Sequence, residues 1–146
     1  MVEKTATANW SGNLTEGSGT VTTDTGVLSH SAVSWASRTN ESKHQTSPEE
    51  LMAAAHAACY AMAFSHYLTT NYSAPQSLDV TAKVGFGPKE GGGMKVTHSH
   101  LTVNGKVQGM DQATFADAAK KAEAECPVSN AYRGNMEITV DAKLSQ

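Results

Sequence analysis

Apolar positions follow two periods along this chain. A period of two runs through Thr5–Trp10, Gly17–Thr23, Leu78–Phe86, Met94–Val107 and Met136–Leu144, which predicts strands. Turn residues bound them: Ser11-Gly12-Asn13, Asp24-Thr25-Gly26, and a tip from Pro88 to Gly93 that joins the third and fourth into a hairpin. Val27–Trp35 reads as one more short strand, and the polar run Ser37–Ser47 as a loop. A period near 3.6 replaces alternation twice. Ser47-Pro48-Glu49-Glu50 places Ser at N-cap, Pro at N1 and Glu at N3, a capping box. It opens a helix running to about Thr70, with Leu51, Ala54, Ala55, Ala58, Met62 and Ser65 as its recurring face. Asp111–Glu125 is a second helix with Phe115, Ala118, Ala119 and Ala122 on its apolar side, and Ser129–Arg133 a short helical turn. The order β-β-(β)-α-β-β-α-β predicts an α+β fold in a single domain over 1–146.

Composition changes this picture in one respect. Leu, Ile, Val and Phe number 22 of 146 residues, few for a chain of this size. Disorder would also require high net charge, and here it is −3. We therefore expect a second subunit to complete the buried surface. The weak acidic balance excludes non-specific nucleic-acid binding, which needs clustered Lys and Arg. No apolar run is long enough to span a bilayer. The N-terminal stretch MVEKTATANW lacks the apolar centre of a secretory signal, so a cytoplasmic location is expected.

In that compartment thiols stay reduced, and Cys59 and Cys126 read as free thiols, a redox pair or metal ligands rather than a structural bridge. Cys59 lies in mid-helix among alanines; Cys126 lies at a helix end before Pro127. Either could equally be small core filler. The chain has two arginines, Arg38 and Arg133. An Arg beside a thiol lowers its pKa, although a loop Arg is usually solvated surface. Glu49 and Glu50 need only offset the helix dipole. His56 lies one turn before Cys59, and His98 and His100 share one face of a strand. Together with a Cys they could ligate Zn or Cu, but no spacing here is diagnostic. Gly91–Gly93 lacks the following Lys-Ser/Thr and helix of a phosphate loop.

The segment Ser47-Pro-Glu-Glu-Leu-Met-Ala-Ala-Ala-His-Ala-Ala-Cys59-Tyr, paired with Cys126-Pro-Val-Ser downstream, resembles the OsmC/Ohr family of osmotically inducible and organic hydroperoxide resistance proteins. The Ala-His-Ala-Ala-Cys form and the position of Arg38 look more like the OsmC branch. Ala53, Ala55 and Tyr60 depart from common family residues, a change not expected to remove activity, though Tyr60 would alter the polarity of the pocket. The resemblance implies an intertwined homodimer and a thiol-dependent peroxidase of oxidative or osmotic stress, needing no bound cofactor or metal. Its substrates would be organic hydroperoxides, and hydrogen peroxide as well. Cys59 then matches the peroxidatic cysteine and Cys126 the resolving one. Arg38 matches the residue that stabilises the thiolate and the leaving oxygen, and Glu49 the carboxylate that orients Arg38, expected through a bidentate pair. An external dithiol or lipoylated protein would restore the thiols. A non-turning-over redox sensor and a metal-binding stress protein built on His56, Cys59, His98 and His100 are the alternatives.

Helix geometry adds a constraint. Ten residues separate Glu49 from Cys59, about 15 Å of rise and about 80° short of whole turns. Glu49 cannot act on Cys59 of its own helix. A second copy packed antiparallel about Ala54, where small side chains let backbones approach, would bring its Glu49 alongside; the interface would be isologous. An apolar pocket, with Met52, Tyr60, Met62, Phe64, Phe86 and Met94 as candidate walls, would favour organic hydroperoxides by about 0.8 kcal/mol per buried CH₂.

Overall fold

The computed structural model describes residues 1–145. The described chain forms two compact units, Met1–Leu51 and Met52–Gln146. In the first, β1 (Ala6–Ser11), β2 (Ser18–Thr23) and β3 (Ser31–Val33) form an antiparallel meander, with Ala6 opposite Thr23 and Gly19 opposite Val33. The strand expected over Val27–Trp35 is confined to β3. It gives way to a helix that alternation did not reveal, α1 (Trp35–Thr39). Ser34 and Ser37 close a reciprocal capping box at its start: Ser37 N–H donates to Ser34 Oγ and Ser34 N–H to Ser37 Oγ, each at 3.0 Å. Arg38 therefore sits in the last turn of a helix and not in a loop.

α2 (Pro48–Asn71) starts where its cap predicts. Ser47 Oγ accepts from the Glu50 N–H at 3.1 Å, while the Glu50 carboxylate accepts from the Thr46 hydroxyl at 2.8 Å. Its buried face differs from the expected one. His56, Tyr60, Phe64 and Leu68 are fully buried, a four-residue repeat of large side chains. The small-residue face points outward, with Ala54, Ala55, Ala58 and Met62 exposed. Spacing alone does not distinguish the two stripes; volume does, because only the large side chains fill a core.

The second unit packs α2 and α3 (Gln112–Glu125) on a sheet ordered β4-β5-β6, with β4 (Ser77–Pro88) and β5 (Met94–Lys106) as the expected hairpin. β6 (Glu137–Leu144) pairs parallel to β5, Leu101 opposite Val140. A parallel partner needs a crossover, and α3 with α4 (Pro127–Tyr132) supplies it. Alternation on β5 puts Ser99, Leu101 and Val103 inside and His98 and His100 outside. Phe115, Ala118, Ala119 and Ala122 are the buried residues of α3, as its periodicity predicts. The core is closed by Phe64 and Phe115, ring centres 5.1 Å apart, and by the Tyr60 hydroxyl donating to the Ala119 carbonyl at 2.8 Å. Among the described residues no helix is long and apolar enough to cross a membrane.

One glycine in this core is fixed by packing. A Cβ on Gly105 would lie 2.5 Å from the Phe115 ring and 2.9 Å from Leu78, whereas one on Gly87 would meet Thr97 at 3.5 Å. Gly105→Ala is expected to cost about 1–3 kcal/mol through overpacking, and Gly87→Ala to stay within about 0.5 kcal/mol. Urea unfolding of the two variants checks this.

Candidate active site

The first unit carries a cation held in place. Arg38 Nε donates to Glu49 Oε1 at 2.8 Å, joining the last turn of α1 to the first of α2. The guanidinium is partly exposed, while Glu49 is buried. The bond runs through one carboxylate oxygen and is not the bidentate pair expected. Glu49 Oε2 is buried without a hydrogen-bond partner among the described residues. An unsatisfied carboxylate oxygen is costly, so this end of the ion pair has capacity for one more donor.

Arg38 also lines an apolar cavity of about 360 Å³, walled by Trp10, Leu14, Val33, Ser34, Trp35 and Pro48. None of the six side chains proposed from sequence lines it. Tyr60 and Phe64 are fully buried core, and Met62 and Met94 are exposed. The sequence reading favoured residues near Cys59 on α2. The walls come instead from β1, its following turn, β3, α1 and the first residue of α2. The two tryptophans, in a chain with few large apolar residues, were the available signal.

The second unit brings the two cysteines together. Cys126 is fully buried between two helices, as C-cap of α3 and N-cap of α4, and its Sγ accepts from the Ser129 N–H at 3.5 Å. Cys59 is partly buried and close enough to Cys126 and the Val128 main chain for both to act on its thiol. Both thiols are free. Burial pushes the Cys59 thiol above its ordinary value; the Val128 N–H opposes this, and the neighbouring Cys126 adds to it. Burial likewise raises Tyr132, with the two cysteines contributing.

The histidines do not gather around a metal. His56 is fully buried, with Nδ1 2.6 Å from Ser99 Oγ and Nε2 2.7 Å from Ser129 Oγ. His98 and His100 lie on the opposite face of the sheet, because they flank Ser99 on β5. There His98 pairs with the Thr97 hydroxyl, and His100 bonds Thr139 and lies 3.2 Å from Asp141. Among the described residues no three His, Cys, Asp or Glu side chains could hold a metal ion. The metal-binding alternative thus loses its ligand set: strand alternation separates His56 from the other two.

Two neighbouring free thiols, one of them on the long helix of this α+β topology, define a class. The OsmC-like protein family model matches residues 40–141, and the chain belongs to that family. It is 39% identical over 143 residues to the peroxiredoxin OsmC of Escherichia coli, covering 98% of this chain and 97% of that protein. It is 30% identical over 126 residues to the organic hydroperoxide resistance protein OhrB of Bacillus subtilis, covering 86% and 89%. Among solved structures, an organic hydroperoxide resistance protein from Elizabethkingia anophelis superposes with a TM-score of 0.77 at 30% identity, covering 99% of each chain. The B. subtilis OhrB structure gives 0.73 at 27%, covering 95% and 98%.

Burial holds the His56 imidazole below its ordinary value, and Glu123 only partly opposes this. A depressed value means that the unfolded chain binds a proton the folded chain refuses. Stability is then present above the ordinary histidine value and declines as pH falls below it. Melting temperature should drop between pH 7 and pH 5 in the wild type. It should drop less steeply in His56→Gln; equal slopes would contradict the burial of a neutral ring.

Proposed function

We propose that this chain is a two-cysteine thiol peroxidase that reduces organic hydroperoxides, and hydrogen peroxide as well, to the alcohol or water. The enzyme is a peroxidase acting in peroxide detoxification, and the observation that carries the mechanism is the adjacency of Cys59 and Cys126. The Cys59 thiolate attacks the terminal peroxide oxygen. The O–O bond breaks, the alkoxide leaves and takes a proton from solvent, and Cys59 becomes a sulfenic acid. The Cys126 sulfur then displaces the sulfenic hydroxyl, which leaves as water with the Cys126 proton, and a disulfide forms. An external dithiol or lipoylated protein reduces it by exchange. No bound metal or organic cofactor takes part. Oxidative or osmotic stress in the cytoplasm is the setting.

A raised Cys59 pKa needs a cation to offset it. Arg38, oriented by Glu49, is that cation: its guanidinium favours the thiolate and stabilises the departing oxygen. The apolar cavity beside Arg38 supports a preference for organic hydroperoxides, since each buried CH₂ of an alkyl tail contributes about 0.8 kcal/mol.

The active form is a homodimer in which Arg38 and Glu49 of one subunit serve Cys59 of the other. Three features support this. Glu49 and Cys59 are ten residues apart on α2. The face Ala54, Ala55, Ala58 and Met62 is apolar and exposed. The buried Glu49 Oε2 has no hydrogen-bond partner among the described residues.

Mixing variants tests this directly. Cys59→Ser and Arg38→Ala homodimers should each lose at least about 100-fold of peroxidase activity with cumene hydroperoxide and a dithiol. The residual activity of Arg38→Ala should rise toward higher pH, as the unassisted thiol ionises. After subunit exchange between the two, half the dimers are mixed and each has one complete site. About a quarter of wild-type activity should return. No recovery in exchanged dimers would place Arg38 and Cys59 of one site in the same subunit.

A further inference from the structure

His56 takes no part in the chemistry above, yet it is a fully buried polar group. Its ring ties three elements together: α2, which carries it, Ser99 on β5 and Ser129 on α4. A neutral imidazole has one donor and one acceptor nitrogen. A serine hydroxyl can take either role, so the Ser99–His56–Ser129 chain is satisfied in either tautomer. Tyr132 packs edge-on against the ring at 5.1 Å and is itself fixed by donating to the Met52 carbonyl at 2.9 Å.

Ser129 has two tasks. Its hydroxyl meets His56 at 2.7 Å, and its main-chain N–H donates to Cys126 Sγ at 3.5 Å. α4 has six residues, too few to hold its own conformation without tertiary contacts. The place of that N–H relative to the sulfur therefore depends on where the Ser129 side chain is anchored. The anchor is one turn from Cys59 on α2. A single helix thus carries the peroxidatic sulfur and, through two hydrogen bonds, fixes the donor facing the resolving sulfur.

We propose that His56 is a positioning residue for the resolving step: through Ser129 it holds the N–H that favours the Cys126 thiolate as it attacks the Cys59 sulfenic acid. The role rests on the two-cysteine reading given above. It requires a neutral, fixed ring, in accord with burial among two hydroxyls and an aromatic edge. Glu123 is the charged group that acts on it, and that carboxylate is engaged by Arg133 at 2.9 Å. An N–H aimed at sulfur stabilises the thiolate. Its displacement should slow the formation of the S–S bond without altering attack on peroxide.

The experiment separates the two steps in time. Reduced wild type, His56→Leu, His56→Gln and Ser129→Ala each receive one equivalent of cumene hydroperoxide without reductant. Dimedone-trapped sulfenic acid on Cys59 and the Cys59–Cys126 disulfide are followed by intact-mass analysis across pH. His56→Leu and Ser129→Ala should form sulfenic acid within about twofold of the wild-type rate. Their disulfide formation should be slower by at least about tenfold, with its pH dependence moved to higher pH. Excess peroxide should carry their Cys59 on to sulfinic acid. His56→Gln, whose amide keeps a donor and an acceptor, should recover part of the rate. If His56→Leu does not fold, Ser129→Ala, which leaves the ring in place, decides the matter. Disulfide formation within twofold of wild type in Ser129→Ala, or equal slowing of both steps, overturns the proposal. Failure of the underlying reading looks different: the wild type itself would form no Cys59–Cys126 disulfide, and the role of His56 would fall with it.

Discussion

Burial favours the thiol at Cys59, the sulfur that the proposed mechanism needs as a thiolate. That conflict at Cys59 governs the organisation proposed here. The second unit supplies Cys126 as the proposed resolving partner and an enclosing core; the Val128 main chain favours charge on Cys59, but burial and the adjacent Cys126 raise its cost. The first unit supplies a guanidinium fixed by a buried carboxylate and an apolar cavity beside it. On the proposed mechanism each unit holds half of what peroxide reduction requires: a reducing dithiol in one, and a positive, apolar reception site in the other. On the proposed reading, a twofold axis joins the halves, and the charge that activates the sulfur arrives only on assembly.

α2 meets this demand by having two different faces. One is a repeat of His56, Tyr60, Phe64 and Leu68, which fills its own core. The other is alanine-rich and exposed, able to admit another backbone closely. Cys59 lies on neither stripe and is only partly buried. Cys126, which the proposed mechanism requires to bond a neighbouring sulfur, is placed by a different device. It caps one helix and starts the next, where Pro127 interrupts the regular hydrogen bonding.

Much of this was legible before any coordinates. Strand alternation located β4, β5 and β6, because each turns one face to the core, and it also picked out β1 and β2, although β1 is exposed along its whole length. The Ser47-Pro48 cap located the start of α2, and the spacing of Phe115, Ala118, Ala119 and Ala122 gave the buried side of α3. The motif around Cys59 and Cys126 led to the family. The failures have physical causes. α1 is five residues long with a serine-serine capping box, too short for periodicity to register. The outer stripe of α2 registers in the spacing as strongly as its core face, because small and large apolar residues weigh alike in a pattern, though only volume fills a core. The cavity walls were sought near Cys59 in sequence, whereas Trp10 and Trp35 reach one place only through folding. The separation of His56 from His98 and His100 follows from Ser99 pointing inward, and that could have been anticipated from alternation on β5.

The central claim is that Cys59 and Cys126 act as one redox unit. Free-thiol titration of the reduced protein, before and after one equivalent of cumene hydroperoxide, tests it most directly. The account predicts loss of both thiols per chain in the wild type. In Cys126→Ser it predicts a trapped sulfenic acid on Cys59. Retention of both thiols in the wild type would contradict it.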